Sequence, residues 1–290
     1  MSYLTSPSAV RKLLESYNFR CRKSMGQNFL VDANIVNKII SSALLDEDDT
    51  VVEIGPGLGV ITRAAAMKAK GVVALELDRG LLPILEDTLK DLSNVSIVAG
   101  DAMEADLDAV VSSARAGYSG PYKLIANLPY YITTPLIMRL LTGGFNISLC
   151  VIMVQQEVAE RIAALPGGKE YGALSVAVQY YTEARCLFRV PATVFYPRPE
   201  VDSAVVRLLR RPKPAVGVPD EDLFFKVVRG SFGQRRKTLL NALGKVFNNI
   251  PREKLGKLLQ AAGIDPGRRG ETLSLTEFAR ITREIYNLEL

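Results

Sequence analysis

The residues best suited to chemistry stand together in the tetrapeptide Asn127-Leu128-Pro129-Tyr130. Asn127 offers a side-chain carbonyl that can accept a hydrogen bond from an amine. Pro129 biases Leu128 toward an extended conformation, which can leave the Leu128 carbonyl aimed into a site as a second acceptor. Tyr130 supplies an aromatic face for a base swung out of its stack. The tetrapeptide suits a reaction at an exocyclic nucleobase amine, although taken alone it is also compatible with a plain turn.

Other common kinds of catalysis are excluded by composition. The chain of 290 residues has no histidine, which rules out Ser-His-Asp and Cys-His catalysis and H-E-x-x-H zinc chemistry. Its cysteines, Cys21, Cys150 and Cys186, are far apart and form no C-x-x-C pair, so neither a disulfide framework nor a thiolate zinc site is expected. We expect no metal, and chemistry that depends on amides, carboxylates, hydroxyls and backbone groups.

Three further strand ends upstream carry groups that could bind a nucleoside. The first strand runs through Glu53 into the glycine turn Gly55-Pro56-Gly57-Leu58-Gly59. Glu76 ends the second strand, where a carboxylate can accept hydrogen bonds from ribose hydroxyls, and Asp101 follows the third, where it can accept from an adenine amine. Because parallel strands end at the same edge of a sheet, these groups should lie together and bind an adenosine cofactor.

The glycine spacing indicates which adenosine cofactor binds. The G-x-G-x-G pattern of Gly55, Gly57 and Gly59 lacks the G-x-G-x-x-G spacing that brings a helix terminus onto a pyrophosphate. S-adenosylmethionine, which has no phosphates, fits better, with its amino-acid tail against the glycine turn and Glu53. An NAD-dependent oxidoreductase is the disfavoured alternative.

The elements that must position these groups follow from apolar runs that alternate with helical patterns. Short apolar runs separated by helices predict a doubly wound, Rossmann-like α/β domain with a parallel sheet. The predicted strands are Val51–Ile54, Val72–Leu77, Val95–Ala99, Lys123–Ala126 and Leu149–Val154. The predicted helices between them lie near Ile61–Ala69, Leu81–Asp91, Glu104–Ala116, Thr134–Leu141 and Gln156–Ala164.

A basic, helical segment follows this domain. Residues 1–206 carry 19 basic and 22 acidic residues, a net charge of −3, whereas residues 207–290 carry 17 and 9, a net charge of +8. The linker-like run 210–214 predicts a boundary between a domain at 1–209, with an N-terminal helical extension at 1–45, and a small all-helical domain at 215–290. Its predicted helices are Glu221–Gly230, Arg235–Val246, Arg252–Ala262 and Ser274–Tyr286. Such asymmetry suggests a module that binds a polyanion, although solvated basic helix faces would give the same pattern.

The chain resembles the ribosomal RNA adenine N6,N6-dimethyltransferase family, and its bacterial small-subunit branch more than its antibiotic-resistance branch. The resemblance covers nearly the whole length. The segments that carry it are Gly26-Gln27-Asn28-Phe29-Leu30, Val52 to Gly59, Glu76-Leu77-Asp78, Gly100-Asp101-Ala102, Asn127 to Ile132, and Phe195-x-Pro-x-Pro-x-Val-x-Ser203.

The resemblance implies roles that the residue patterns alone do not. Asn28 and Leu30 should join the predicted cofactor contacts, because in the family the Q-N-F-L segment folds over the methionine part. Phe195 should lie across the target base from Tyr130 as an aromatic clamp. The segment Arg229 to Leu239 resembles the opening of the RNA-contacting domain, so Arg229, Arg235, Arg236 and Lys237 should bind RNA. A basic run at a helix start opposes the macrodipole, which favours a phosphate-binding role over local stability.

The resemblance therefore implies methyl transfer from S-adenosylmethionine to N6 of two adjacent adenosines near the 3′ end of small-subunit (16S) ribosomal RNA. The products would be dimethyladenosines and S-adenosylhomocysteine, and the partner would be the RNA or a small-subunit assembly particle. A large-subunit resistance enzyme and a non-catalytic assembly factor remain alternatives. No signal peptide or membrane span is evident, so we expect a cytoplasmic protein, and a monomer.

Overall fold

The chain forms two compact units in the computed structural model, which describes residues 4–22, 25–234 and 236–289. The first unit contains Met1–Ala159 and Arg185–Arg210, and the second contains Glu160–Ala184 and Arg211–Leu290. Among the described residues, no helix is both long and apolar enough to span a membrane.

The first unit is built on a seven-stranded sheet. Its strands in chain order are β2 (Thr50–Ile54), β3 (Gly71–Glu76), β4 (Val95–Ala99), β5 (Tyr122–Asn127), β6 (Ile147–Gln155), β7 (Thr182–Val190) and β9 (Ser203–Arg210). Their order across the sheet is β4-β3-β2-β5-β6-β9-β7. The five strands from β4 to β6 are parallel, as the near-continuous apolar runs predict, and β9 then pairs with β6 in the antiparallel sense. The fold is the predicted doubly wound α/β arrangement.

The strand order creates a crevice at one edge of the sheet. From β2 the chain continues outward through β3 and β4 and then returns to place β5 on the opposite side of β2. Ligands of open α/β sheets bind beyond the carboxyl ends of strands at such a reversal of order. The carboxyl ends of β2 and β5 are adjacent, with Ile54 opposite Ala126 in the register.

Helices accompany the strands, and a short ribbon carries two of the predicted site segments. The helices before β7 are α1 (Pro7–Ser16), α2 (Ala33–Ser42), α3 (Val60–Ala66), α4 (Leu82–Leu89), α5 (Leu107–Ala114), α6 (Thr133–Thr142), α7 (Gln156–Ala163) and α8 (Ala173–Tyr181). The ribbon pairs β1 (Phe29–Leu30) with β8 (Phe195–Tyr196). Side chains of α1, α2 and α3 and of the ribbon share one apolar core with alternate residues of the sheet, including Val51, Ile125 and Val151.

Asp32 begins α2 with a strong N-cap. Its carboxylate accepts hydrogen bonds from the backbone N–H groups of Asn34 and Ile35 at 2.8 and 3.0 Å. Ile35, Val36, Ile39 and Ile40 then bury one face of the helix. This packing fixes the helix that follows the ribbon strand β1.

The second unit is helical. Its remaining helices are α9 (Glu221–Phe232), α10 (Leu239–Val246), α11 (Arg252–Ala261) and α12 (Leu275–Glu289), and α9 packs against α8, α10 and α12. The sequence assigned residues 160–184 to the first domain, but the structure groups them with these helices. Aromatic packing explains the difference, because Tyr180 stacks on Phe224 and Tyr181 on Phe225, with ring centroids 4.9 and 5.8 Å apart. Both tyrosine hydroxyls also donate to the Glu221 carboxylate.

Two predicted helices begin later than expected. The predicted helix at Glu104–Ala116 starts at Leu107, because Asp106 caps it and the preceding residues form a turn around Asp101. The predicted helix at Arg235–Val246 starts at Leu239, so Arg236 and Lys237 lie before it rather than within it. Arg235 itself lies outside the described residues.

Candidate active site

The glycine turn after β2 requires a backbone that only glycine adopts readily. Gly55, Gly57 and Gly59 all have positive φ, at 69°, 60° and 82°. A Cβ on Gly57 would also lie 3.0 Å from the Phe29 ring of the ribbon. The turn therefore combines a left-handed backbone with a close approach of the segment around Phe29.

A cavity with an empty volume of about 970 Å³, which includes its open mouth, lies beyond the ends of β2, β3, β4 and β5. The structure brings all eight predicted cofactor-binding residues to its wall: Asn28, Leu30, Glu53, Gly55, Gly57, Glu76, Asp101 and Asn127. The described residues of the wall include three carboxylates, Glu53, Glu76 and Asp101, and no lysine or arginine. The cavity therefore suits a ligand with positive charge and hydrogen-bond donors.

Glu76 is held at the end of β3 by backbone groups. Its carboxylate accepts from the N–H groups of Asp78 and Gly57 at 2.8 and 3.3 Å. Burial raises the pKa of Glu76, and the same two N–H groups partly oppose that rise because they stabilise the charged form. The carboxylate is thus oriented before a ligand arrives.

Asp78 ties the segment before β1 to the end of β3. The buried carboxylate accepts from the Gln27 amide at 2.8 Å and forms an ion pair with Arg22 at 3.5 Å. The Arg22 backbone N–H donates in turn to Gln27 Oε1 at 2.7 Å. Because the Asp78 N–H also binds Glu76, the segment and the predicted ribose-binding carboxylate form one hydrogen-bonded chain. Gln27 and Asp78 belong to the segments that carry the family resemblance, but the sequence did not predict them as site residues.

Glu53 is buried in the cavity wall beneath the glycine turn. It is 2% exposed and accepts a hydrogen bond from the Thr62 hydroxyl on α3. Burial raises the pKa of Glu53 to about 8; the Thr62 hydrogen bond opposes the rise and the negative charge of Glu76 adds to it. Glu53 is therefore protonated near neutral pH, and a cation beside it would favour the carboxylate.

Asn127 ends β5 with its side chain fixed by the segment opposite. Its amide nitrogen donates to the Asn28 backbone carbonyl at 3.2 Å. The side-chain oxygen of Asn127 is therefore the atom that can accept a hydrogen bond from a ligand. The Asn28 amide donates in turn to the Gly26 carbonyl at 3.0 Å. A Cβ on Gly26 would lie 3.5 Å from Pro129 Cβ, so the two segments are in close contact.

The predicted reacting tetrapeptide only partly lines the cavity. Asn127 and Pro129 line it, whereas Leu128 and Tyr130 are not among its lining residues. Leu128 is buried, and its N–H donates to the Met153 carbonyl at 3.0 Å. The Tyr130 hydroxyl lies 3.0 Å from the Ser203 hydroxyl, and burial raises the pKa of Tyr130. The role of the Leu128 carbonyl as a second acceptor stays a prediction.

Phe195, predicted as one half of an aromatic clamp, lies in the ribbon strand β8, and its clamp role stays a prediction. It is 5% exposed, lies opposite Leu30 in the ribbon and belongs to the apolar core of the first unit. It is not among the lining residues of the cavity. The pairing of β1 with β8 explains this placement, because it turns the ring into the core.

Tyr131 also lines the cavity, at 55% exposure, whereas the other aromatic residue of the described wall, Phe29, is buried. The sequence did not predict Tyr131 as a site residue, although it directly follows the tetrapeptide. Met25 and Ile132 were missed as well, because an apolar side chain next to a motif gives no distinguishing signal.

The predicted RNA-binding residues lie on the second unit. Arg229 is exposed in the last turn of α9, and Arg236 and Lys237 are exposed in the turn before α10. A groove in the same unit is lined by Lys226, Arg229 and Lys245. A polyanion could therefore bind this unit along α9 and α10.

Comparison with known proteins identifies the family. The model of the family described as ribosomal RNA adenine dimethylase matches residues 18–286. The chain belongs to this family. Among its relatives is ribosomal RNA small subunit methyltransferase A of Pelotomaculum thermopropionicum, 56% identical over 97% of both chains. The protein of the same name from Moorella thermoacetica is 53% identical, over 98% of this chain and 99% of its own.

Two solved structures share this fold. A dimethyladenosine transferase from Plasmodium falciparum has a TM-score of 0.77 and 24% identity over 90% of this chain and 98% of its own. The 23S rRNA methyltransferase ErmE has a TM-score of 0.68 and 25% identity over 89% of this chain and 100% of its own. Both likenesses support the Rossmann-like fold of this family member.

Proposed function

We propose that this member of the family transfers methyl groups from S-adenosylmethionine to N6 of two adjacent adenosines near the 3′ end of small-subunit ribosomal RNA. The products are N6,N6-dimethyladenosines and S-adenosylhomocysteine. The proposal rests on one observation: Asn127, whose side-chain oxygen is available as an acceptor, lines a cavity whose described wall has three carboxyl groups and no lysine or arginine.

The charge of the cavity fits this cofactor. S-adenosylmethionine carries a sulfonium and an ammonium group but no phosphate, and the described wall offers three carboxylates and no lysine or arginine. Glu76 would hold the ribose hydroxyls, Asp101 the adenine amine, and Glu53 with the glycine turn the amino-acid part. A pyrophosphate cofactor such as NAD would face uncompensated repulsion here. Asn28 and Leu30 would cover the methionine part.

When bound, S-adenosylmethionine supplies an activated methyl group, so this chain needs no strong base. An adenine amine is a poor nucleophile because its lone pair is delocalised into the ring. In the first transfer to each adenosine, Asn127 Oδ1 accepts one N–H of that amine and the Leu128 carbonyl accepts the other, which localises the lone pair on nitrogen; after each transfer the methylated nitrogen releases one proton to solvent. Pro129 holds the backbone of these acceptors, and Tyr130 packs against the base. The work of the protein is orientation and hydrogen bonding.

RNA binding is assigned to the second unit. Arg229, Arg236 and Lys237 are exposed there, and Lys226 and Lys245 line the same groove as Arg229. Arg235 belongs to the same basic run in sequence. Contacts of such residues with phosphates release counterions and give sequence-independent affinity that falls with salt. The recognition of particular adenosines is therefore left to the cavity and to the shape of the RNA.

The choice of the small subunit follows the names of the relatives that are 56% and 53% identical to this chain. A large-subunit enzyme would share the cofactor site and the chemistry. A non-catalytic assembly factor would not need Asn127, Glu76 and Asp101 to line one cavity. We place the enzyme in the cytoplasm as a monomer, acting on ribosomal RNA or an assembly particle, without a metal.

The test is methyl mapping on both subunits. The protein is incubated with labelled S-adenosylmethionine and, separately, with small and large subunits that lack the modification. We expect label in dimethyladenosine near the 3′ end of small-subunit RNA only. Label in large-subunit RNA would favour the resistance-type alternative, and binding to particles without label would favour the non-catalytic one.

A further inference from the structure

Tyr131 is an exposed aromatic ring at the cavity beside Asn127. It is 55% exposed, and of the large apolar residues with such exposure only Leu77, at 44%, also lines this cavity in the described chain. Among the described residues, none donates to or accepts from the Tyr131 hydroxyl, and none stacks on its ring. The ring thus offers an apolar face to whatever enters beside Asn127.

The backbone that carries Tyr131 is held firmly. The Pro129 carbonyl accepts from the Ile132 N–H at 3.3 Å and from the Thr133 hydroxyl at 3.0 Å, and α6 begins directly afterwards. On the other side, Gly26 lies against Pro129. A backbone held in this way, carrying an unpartnered ring, is the arrangement expected of a stacking platform, because little backbone conformational entropy remains to be lost when a flat ligand binds.

Among its described residues the cavity wall has one other aromatic side chain, Phe29, which is only 7% exposed. Phe195 lies in the apolar core, and half-buried Tyr130 is held by the contact of its hydroxyl with Ser203. Tyr131 is therefore the exposed aromatic face that the described wall presents at the mouth of the cavity.

We propose that Tyr131 contacts the RNA substrate at the cavity mouth by stacking on the nucleobase next to the target adenine, while Tyr130 packs against the target itself. The proposal rests on the proposed function and adds a substrate-contacting residue that acts on RNA rather than on cofactor. Replacing an aromatic side chain on which a base stacks with alanine lowers the affinity for the nucleic acid by about 5- to 150-fold. Stacking tolerates any base, so the contribution is to positioning and not to the choice of adenine.

The experiment compares Tyr131→Ala, Tyr131→Phe and Leu77→Ala in the full-length protein. We expect Tyr131→Ala to raise KM for small subunits about 5- to 150-fold with the dissociation constant for S-adenosylhomocysteine changed less than about twofold. Tyr131→Phe keeps the ring and should restore the wild-type KM. Leu77→Ala, at the same cavity, should weaken S-adenosylhomocysteine binding and leave KM for the particle unchanged.

A second readout does not depend on activity. RNA fragments of the small-subunit 3′ end carry 2-aminopurine at the target position or at its neighbour, and stacking quenches the fluorescence. We expect quenching at the neighbouring position on binding to wild type, and its loss with Tyr131→Ala but not with Tyr131→Phe; at the target position, quenching should not depend on Tyr131.

Two outcomes would overturn the proposal. One is a Tyr131→Ala variant with wild-type KM and quenching, and the other is a variant that loses S-adenosylhomocysteine binding instead. The wild-type protein could bind the RNA and quench the 2-aminopurine fluorescence in a Tyr131-dependent way but transfer no methyl group. That result would contradict the proposed function and support the stacking contact. Because Tyr131 is exposed, an unchanged melting temperature should accompany each variant.

Discussion

Replacement of Glu53 with glutamine tests whether a protonated carboxyl group lies in the cavity wall. Burial raises the pKa of Glu53 from its ordinary 4.5 to about 8. The folded state therefore binds a proton that the unfolded state releases between these two values. The stability that this proton contributes is fully present below the unfolded pKa and is lost as the pH rises through the folded pKa.

The magnitude follows from the linkage relation. Each pH unit within the window costs about 1.4 kcal/mol of unfolding free energy, so the whole window from 4.5 to about 8 corresponds to about 5 kcal/mol. Between about pH 5.5 and about pH 7.5 the expected loss is about 3 kcal/mol. Glutamine retains an oxygen acceptor for the Thr62 hydroxyl but does not titrate. The difference in unfolding free energy between Glu53→Gln and wild type should therefore grow in favour of the variant as the pH rises.

The assay is urea unfolding of both proteins at a series of pH values, followed by circular dichroism because the chain has no tryptophan. Titrating groups that are not coupled to Glu53 cancel in the difference, and an unsatisfied glutamine amide would add only an offset that does not vary with pH. Selective ¹³C labelling of glutamate gives a direct check through the carboxyl chemical shift of Glu53. Parallel stability profiles, together with a Glu53 titration near its ordinary value, would refute the reasoning.

Three further predictions concern methyl transfer, the glycine turn and RNA binding. Asn127→Ala should lower the single-turnover rate by about 100-fold or more while RNA affinity is kept, because a hydrogen-bond acceptor for the amine is lost. Gly57→Ala should lower the unfolding free energy by about 1–2 kcal/mol and weaken cofactor binding, since a left-handed backbone strains alanine and its Cβ would lie 3.0 Å from the Phe29 ring. Neutralising Arg235, Arg236 and Lys237 together should weaken RNA binding and reduce the slope of log affinity against log salt by about 1 for each lost phosphate contact.

The predictions for the glycine turn and for RNA binding each have a control variant. Gly117 also has positive φ, at 81°, but a Cβ there would meet nothing within 4 Å, so Gly117→Ala measures backbone strain without the contact to Phe29. For the basic run, exposed Lys254 is a single-site control on the same unit. Wild-type turnover by Asn127→Ala, equal effects at Gly57 and Gly117, or an unchanged salt slope would each contradict the corresponding argument.

The gathering of groups at the sheet edge could be predicted because it depends on local signals. Apolar runs define the strands, and a polar residue directly after each run must lie at the carboxyl edge, as Glu76, Asp101 and Asn127 do. Parallel pairing then makes these ends neighbours. No distant contact has to be known for this conclusion.

Features that depend on distant contacts could not be predicted. The position of Phe195 depends on the pairing of two-residue strands far apart in the chain. The hydrogen bond between Gln27 and Asp78 joins residues 51 positions apart. Likewise, residues 160–184 belong to the second unit because the rings of Tyr180 and Tyr181 find partners on α9. Periodicity describes a residue's own element and not the partner against which it packs.

Charge explains why one chain can bind both a cationic cofactor and a polyanionic substrate. An RNA phosphate is repelled by carboxylates, so a wall with Glu76 and Asp101 and with no lysine or arginine among its described residues disfavours the RNA backbone in the cavity and favours an uncharged base. The basic residues that attract phosphates lie instead in the C-terminal part, where residues 207–290 carry a net charge of +8. Introducing a lysine or arginine into the cavity wall should therefore weaken cofactor binding, whereas removing one from the C-terminal part should not.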